Sequence, residues 1–296
     1  MSLDQHFSSH RPIVSTSDLI ERGLRAAELT AAVRSGDLWR VRRGQYCLPG
    51  TTSPTVTAVR VGGLLTCTTA LRSYGVWMPD DPSVHVWMPR NASRMRSPRD
   101  RWLPLTDQTS DGVELHWWPL SEPPATGSGR VGLADALGHA VRCAPRPIAI
   151  AAIDSVLNAR LLDSRAVESM MSALPRRYRG LLTDIDGRSM SGIETILRLA
   201  LRDAGLSCEV QVRVSGVGRV DLVVEGCIAI ETDGRSFHEG AETRARDYDR
   251  DLKLTLAGYT VLRFDYRQIM FELESVVQAV RVALVNRAGR AVLPAR

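Results

Sequence analysis

The stretch Gly218-Arg219-Val220-Asp221-Leu222-Val223-Val224, followed by Cys227-Ile228-Ala229-Ile230-Glu231-Thr232-Asp233-Gly234, decides the fold class. Both runs are short and dominated by apolar, largely β-branched residues, so they read as two strands a hairpin apart. Ahead of them, Ser191 can cap a helix over 192–203 that Gly205 ends, and 208–214 reads as a further strand. After them come a long helix over 242–257 stopped by Gly258, a strand over 260–264 and a last amphipathic helix over 272–286. Strands and helices so interleaved predict an α/β domain over 188–296.

The same strands carry the chemistry. Asp221 opens its apolar segment and Glu231 closes the next, so antiparallel pairing can bring the two carboxylates together. With Glu194 of the preceding helix they would hold Mg2+ or Mn2+ through oxygen, and the ion would activate water beside a phosphate. His238 stands close enough in sequence to act on the attacking water or the leaving group. In the long helix Arg246, Arg250 and Lys253 share a face, and Asp249 pairs with Lys253 at i, i+4; Glu194 and Arg198 form another such pair. The competing reading is an acidic strand end and an ion-paired helix that serve stability alone.

At the other end, Ser15-Thr16-Ser17 can cap a short helix over 18–22, and a second helix over 26–35 stops at Gly36. Two short helices joined at a glycine are the sequence form of a helix-turn-helix. Next, Leu38-Trp39-Arg40-Val41-Arg42-Arg43-Gly44-Gln45-Tyr46-Cys47-Leu48 reads as a β-hairpin turning at Arg43-Gly44, the wing of a winged helix. Arg25 and Arg34 beside the second helix, and Arg40, Arg42 and Arg43 on the hairpin, can meet phosphates or base edges of duplex DNA. A plain solvated basic face has the same composition.

Charge supports the first of these. Residues 1–110 hold 14 basic and 9 acidic side chains, whereas 111–187 and 188–296 come to net −1 and +1, so the formal net charge of +5 belongs to the first third. Of the 38 basic residues only Lys253 is lysine, leaving one candidate for any lysine-dependent step. No apolar run approaches a membrane span, and the first residues lack the pattern of an export signal, which points to the cytoplasm. The five cysteines are scattered without C-x2-C spacing, so neither a disulfide framework nor a structural zinc is expected.

Pro49 to Pro54 and the stretch from Pro175 to Ser191 divide the chain into a DNA-binding unit at 1–53, a middle α+β scaffold or partner region at 54–187 and the α/β domain at 188–296. In the middle, helices are expected over 55–61, 66–74, 133–141, 148–157 and 164–174, and strands over 84–88 and 113–118. An arginine-rich loop, Pro89 to Pro104, lies between those strands. His85 and His116 read as isolated, packed histidines.

Two resemblances sharpen this. Asp221, Ala229 to Gly234, His238, Asp249-Arg250, Gly258 and Val261 to Phe264, opened by Ser191, Glu194 and Gln211, resemble the very-short-patch-repair and restriction-endonuclease-like superfamily, and within it the domain family of unknown function numbered 559. That resemblance implies metal ligands at Asp221 and Glu231, a helix carboxylate at Glu194 and a histidine near the scissile phosphate at His238. The usual endonuclease signature has lysine where this chain has Asp233, and Lys253 could reach in from the helix instead. Ser15 to Pro49, and on through Ala70-Leu71, resembles the winged-helix region of antitoxins of the abortive-infection type-IV system, matching at Gly36 and Trp39 to Tyr46. That implies operator DNA and a nucleotidyltransferase-like toxin as partners. Three readings stay open: a DNA-binding antitoxin-type regulator, a Mg2+- or Mn2+-dependent DNA endonuclease, and a partner-binding protein without DNA affinity. The number of copies in the working assembly also stays open.

Overall fold

The computed structural model describes residues 3–8, 12–125, 127–233 and 241–291. The chain forms a multidomain α/β architecture of two compact units, one comprising Met1–Ala144 with Ser169–Tyr178, the other Pro145–Glu168 with Arg179–Arg296. The residues between 54 and 187 are thus shared between the two. No helix among the described residues is long and apolar enough to cross a membrane.

The first unit begins with β1 (Val14–Ser15), α1 (Thr16–Glu21), α2 (Ala26–Ser35), β2 (Trp39–Arg42) and β3 (Gln45–Cys47). The strands form an antiparallel sheet in the order β1-β3-β2. The first helix starts at Thr16 because Ser15 closes a capping box, its hydroxyl accepting from the Asp18 N–H at 3.1 Å while Asp18 accepts from the Ser15 N–H at 3.2 Å. Leu19, Leu29 and Leu38 bury the inner faces of both helices against the hairpin. Trp39, at the outer end of the hairpin, stays exposed.

A second sheet follows. After α3 (Pro54–Val61) come β4 (Leu64–Leu65), α4 (Cys67–Ser73), β5 (Val84–Trp87), β6 (Val113–His116) and α5 (Leu133–Cys143). Strand β5 pairs antiparallel with β4 and parallel with β6. Gly63 makes this possible, since a Cβ there would lie 2.1 Å from the Trp87 carbonyl oxygen. The parallel pairing places His85 and His116 on one face of the sheet, because Trp87 is opposite His116 and His85 lies two residues before Trp87.

Further along are α6 (Arg146–Asn158), α7 (Ser164–Ala173), α8 (Gly192–Asp203), β7 (Cys208–Val214), β8 (Gly218–Val224), β9 (Ile228–Asp233), α9 (Ala241–Leu256), β10 (Thr260–Asp265), α10 (Tyr266–Phe271) and α11 (Leu273–Ala291). Here β7, β8 and β9 form an antiparallel meander, and β10 adds parallel to β9 after α9. Leu254 of α9 packs on Val223 and Ala229 of the sheet.

Helix α6 joins α8 through a buried ion pair. Arg198 Nη2 lies 2.9 Å from Asp154 Oδ2, and both side chains are 1% exposed. Thr195 Oγ1 donates to the same oxygen at 2.8 Å, and the Asp186 N–H to Asp154 Oδ1 at 2.7 Å. Burial pushes the Asp154 carboxyl up, and Thr195 and Arg198 oppose that rise. The Glu194–Arg198 pairing expected from helical spacing therefore does not form: Arg198 is held by α6, and Glu194 turns elsewhere.

Removing one partner of such a pair strands a buried charge, which typically costs about 3–5 kcal/mol. Arg198→Ala and Asp154→Ala should each lower unfolding free energy by about that much in urea melts, and Asp154→Leu/Arg198→Met should recover most of it. Single variants within about 0.5 kcal/mol of wild type, the range of ordinary surface changes, would contradict this.

Candidate functional site

Glu194 sits in the first turn of α8 under the cap that Ser191 forms, and is 3% exposed. Its Oε2 accepts from the Met190 N–H and from Gln211 Nε2, both at 2.9 Å. The same Gln211 nitrogen reaches Asp221 Oδ1 at 3.2 Å. Gln211 can bridge them because it sits in β7 with φ of +54°, between the Val210↔Leu222 and Val212↔Val220 pairs. A non-glycine residue there is strained. The other oxygen of Asp221 accepts from the N–H and hydroxyl of Thr232, at 2.8 and 3.0 Å.

Glu231 is held differently. Its Oε1 accepts from Arg250 Nε at 3.0 Å and Nη2 at 2.7 Å, and Arg250 also donates to the Val217 and Arg219 carbonyls. Burial pushes both the Glu194 and Glu231 carboxyls up, and the nearby charge of Asp221 adds to each shift. The fold thus brings Glu194 and Asp221 onto one amide and puts Glu231 within reach of the same field. Carboxylate oxygen is the right donor for Mg2+ or Mn2+, yet among the described residues these three carboxylates do not form a group placed to hold a metal ion. Asp233 is exposed at the end of β9. Lys253 is paired with Asp249 at 2.6 Å and half exposed. His238 lies outside the described residues.

In the first unit, Arg34, Arg40 and Arg43 are exposed, and Arg25 pairs with Glu28 at 2.8 Å while remaining 82% exposed. Arg42 has another task. Its guanidinium donates to the Arg60 and Val61 carbonyls at the end of α3, both at 3.2 Å, and to the Ser93 and Arg94 carbonyls at 3.3 and 3.4 Å. It caps a helix C-terminus and ties the hairpin to the arginine-rich loop. A groove of ≈ 380 Å³ runs beside the hairpin, lined by Trp39, Arg40, Arg60, Arg99, Arg101 and Trp102 among others.

The structure also gathers residues that spacing kept apart. Cys67, His85, His116 and Cys143 bring their sulfur and ring-nitrogen atoms within 4.8 Å of one another, a compact cluster able to hold a metal ion. The histidines expected to be isolated thus touch each other, with His85 Nδ1 2.8 Å from His116 Nε2. No local motif announces the cluster, because its four members come from α4, β5, β6 and α5. The one sequence signal is a histidine on each of two neighbouring strands.

Comparison with known families follows the same division. Residues 1–49 match the family described as transcriptional regulator, AbiEi antitoxin. Residues 194–284 match the family REase_MTES_1575. The chain therefore carries an N-terminal AbiEi-type antitoxin domain and a distinct restriction-endonuclease-like domain at its C-terminal end. No curated protein matches the chain.

Arg42 and its neighbours should separate cleanly. Arg42→Ala should cost about 1–3 kcal/mol in chemical denaturation, the scale of hydrogen bonds from a charged donor. Arg40→Ala and Arg43→Ala should stay within about 0.5 kcal/mol of wild type. Equal losses at all three positions would refute the internal role of Arg42.

Proposed function

We propose that the protein is a DNA-binding regulator of the antitoxin type, acting in the cytoplasm beside a nucleotidyltransferase-like toxin. In this reading the N-terminal unit is a winged helix, α2 entering the major groove of duplex DNA and the β2–β3 hairpin acting as wing. The observation that carries it is the coincidence of two facts. The stretch matching the AbiEi antitoxin regulators, 1–49, holds the two helices and the hairpin that expose Arg25, Arg34, Arg40 and Arg43. The tryptophans and arginines of the adjacent groove add apolar and cationic surface suited to a sugar–phosphate backbone. Arg42 supports the wing from within.

The test uses a duplex spanning the promoter of the protein's own gene. Affinity measured by fluorescence anisotropy should fall linearly in log Kd against log salt. Arg40→Ala/Arg43→Ala should weaken binding and reduce that slope by about 2, roughly 1 for each phosphate no longer neutralised. Unchanged affinity and slope would refute the reading.

A second reading, a DNA endonuclease using Mg2+ or Mn2+ at Glu194, Asp221 and Glu231 with further roles for Asp233, His238 and Lys253, is favoured by the reach of the Asp221 charge to both glutamates. Against it stands the double hydrogen bond that Arg250 makes to Glu231, which an ion would have to displace. If the domain only supports regulation, supercoiled plasmid with Mn2+ should remain intact with wild type. Nicking by wild type, abolished by Asp221→Ala, would establish the enzyme.

A further inference from the structure

We propose that Cys67, His85, His116 and Cys143 form a closed Cys2His2 site for a zinc ion that clasps α4, the β5–β6 strand pair and the end of α5. In sequence the site lies between the two family-matched stretches, and its ligands are separate from the carboxylates.

The donor set selects the metal. Two thiolates and two imidazoles are soft and borderline ligands that suit tetrahedral zinc, whereas Mg2+ and Mn2+ prefer oxygen. Zinc sits about 2.0–2.1 Å from nitrogen and about 2.3 Å from sulfur, which at tetrahedral angles spaces the ligand atoms about 3.3–3.8 Å apart. Cys143 Sγ is 3.7 Å from His85 Nδ1, the two ring nitrogens are 2.8 Å apart, and all four ligand atoms lie within 4.8 Å. Opening the nitrogen pair by about half an ångström, and drawing in whichever pairs exceed about 3.8 Å, brings the four atoms to tetrahedral spacing.

The surroundings match a ligand site in three further ways. His85 Nε2 donates to Asp81 Oδ2 at 2.9 Å, which directs Nδ1 at the centre of the cluster. Asp81 is itself fixed by the Ser83 N–H at 2.9 Å and by Thr68 Oγ1 at 3.3 Å. A carboxylate behind a ligating histidine is the usual outer support of zinc. His116 stacks between His85 and Trp118, with ring centroids 5.1 and 4.7 Å apart, so its ring is held in one plane. Cys67 is fully buried with φ of +51°, a strained backbone position for a non-glycine residue. Cys143 alone is exposed and offers the way in. Zinc takes the place of the two thiol protons of Cys67 and Cys143, which leave to solvent, and both histidines bind as neutral imidazoles, each with its N–H on the nitrogen turned away from the ion.

With four protein ligands there is no open position for substrate, so the ion is structural. Its members span α4 to α5, and closing that loop with a metal restricts the unfolded chain as well as tying the small sheet to its helices.

The test takes the full chain, purified without a metal-binding tag. Elemental analysis should give about one zinc per chain, and Cys67→Ser/Cys143→Ser should lose it while Asp221→Asn keeps it. Cobalt substituted into the reduced wild-type protein should give the intense visible bands of tetrahedral cobalt with a thiolate charge-transfer band, a readout that needs no folded variant. Asp81→Ala, a change to a positioning residue, should weaken zinc affinity roughly 10- to 100-fold while keeping the cobalt spectrum tetrahedral. Absence of zinc together with no cobalt spectrum would overturn the proposal. So would a Cys67–Cys143 disulfide in protein prepared without oxidant, or zinc lost in Asp221→Asn and retained in the double serine variant.

Discussion

The buried pair of Asp154 and Arg198 fixes the second unit. Two opposite charges at 2.9 Å, each 1% exposed, tolerate little displacement, because any separation leaves a charge without solvent. Helix α6 is thereby committed to α8, although the matched endonuclease-like stretch begins only at Glu194. The pair also decides which way α8 is turned. Arg198 and Thr195 face α6, so Glu194 in the same helix is directed to Met190, Gln211 and Asp221. The carboxylate array is therefore a consequence of an ion pair made elsewhere on the same helix.

Arginine explains much of the first and second units alike. Arg42 gathers four carbonyl oxygens, Arg198 lies buried on a carboxylate, and Arg250 places two donors on one oxygen of Glu231 while reaching two carbonyls. A planar guanidinium with five fixed donors can do this, and an ammonium cannot hold the same geometry. An excess of arginine is therefore a poor count of groups facing nucleic acid. Of the five basic residues that sequence assigned to DNA, four are exposed and one is a strut.

Where local chemistry dominates, the sequence is legible. Ser191 and Gly205 bracket α8 at 192–203, and β7 and β8 fall where β-branched runs placed them. The restriction-endonuclease-like fold and the N-terminal helices and hairpin follow from such signals. What sequence does not reveal depends on distant partners. Strands β1 and β4 have two residues each and exist only because β3 and β5 offer ladders to pair with. The i, i+4 spacing of Glu194 and Arg198 is a sound local expectation that a buried aspartate overrides. The Cys/His cluster is the extreme case, since nothing near Cys67 in sequence hints at Cys143.

The two readings of the C-terminal domain differ in a single physical event, whether Arg250 releases Glu231. Each of the three carboxylates already has donors: Met190 and Gln211 for Glu194, Gln211 and Thr232 for Asp221, Arg250 for Glu231. A divalent ion has to displace a charge-assisted double hydrogen bond from a guanidinium that is further anchored on two carbonyls. Its attraction to three carboxylates must exceed that loss and the cost of moving Arg250. An array satisfied internally holds its shape without an ion, which is what a domain kept for support requires. The strain left in Gln211 is the exception, because that residue sits in an unfavourable backbone conformation in order to hold Glu194 and Asp221 on one amide. If the amide is a stand-in for a cation, the nuclease reading is carried by Gln211; if it is a cross-link, the same residue argues for a scaffold, and the response of the protein to Mn2+ separates the two.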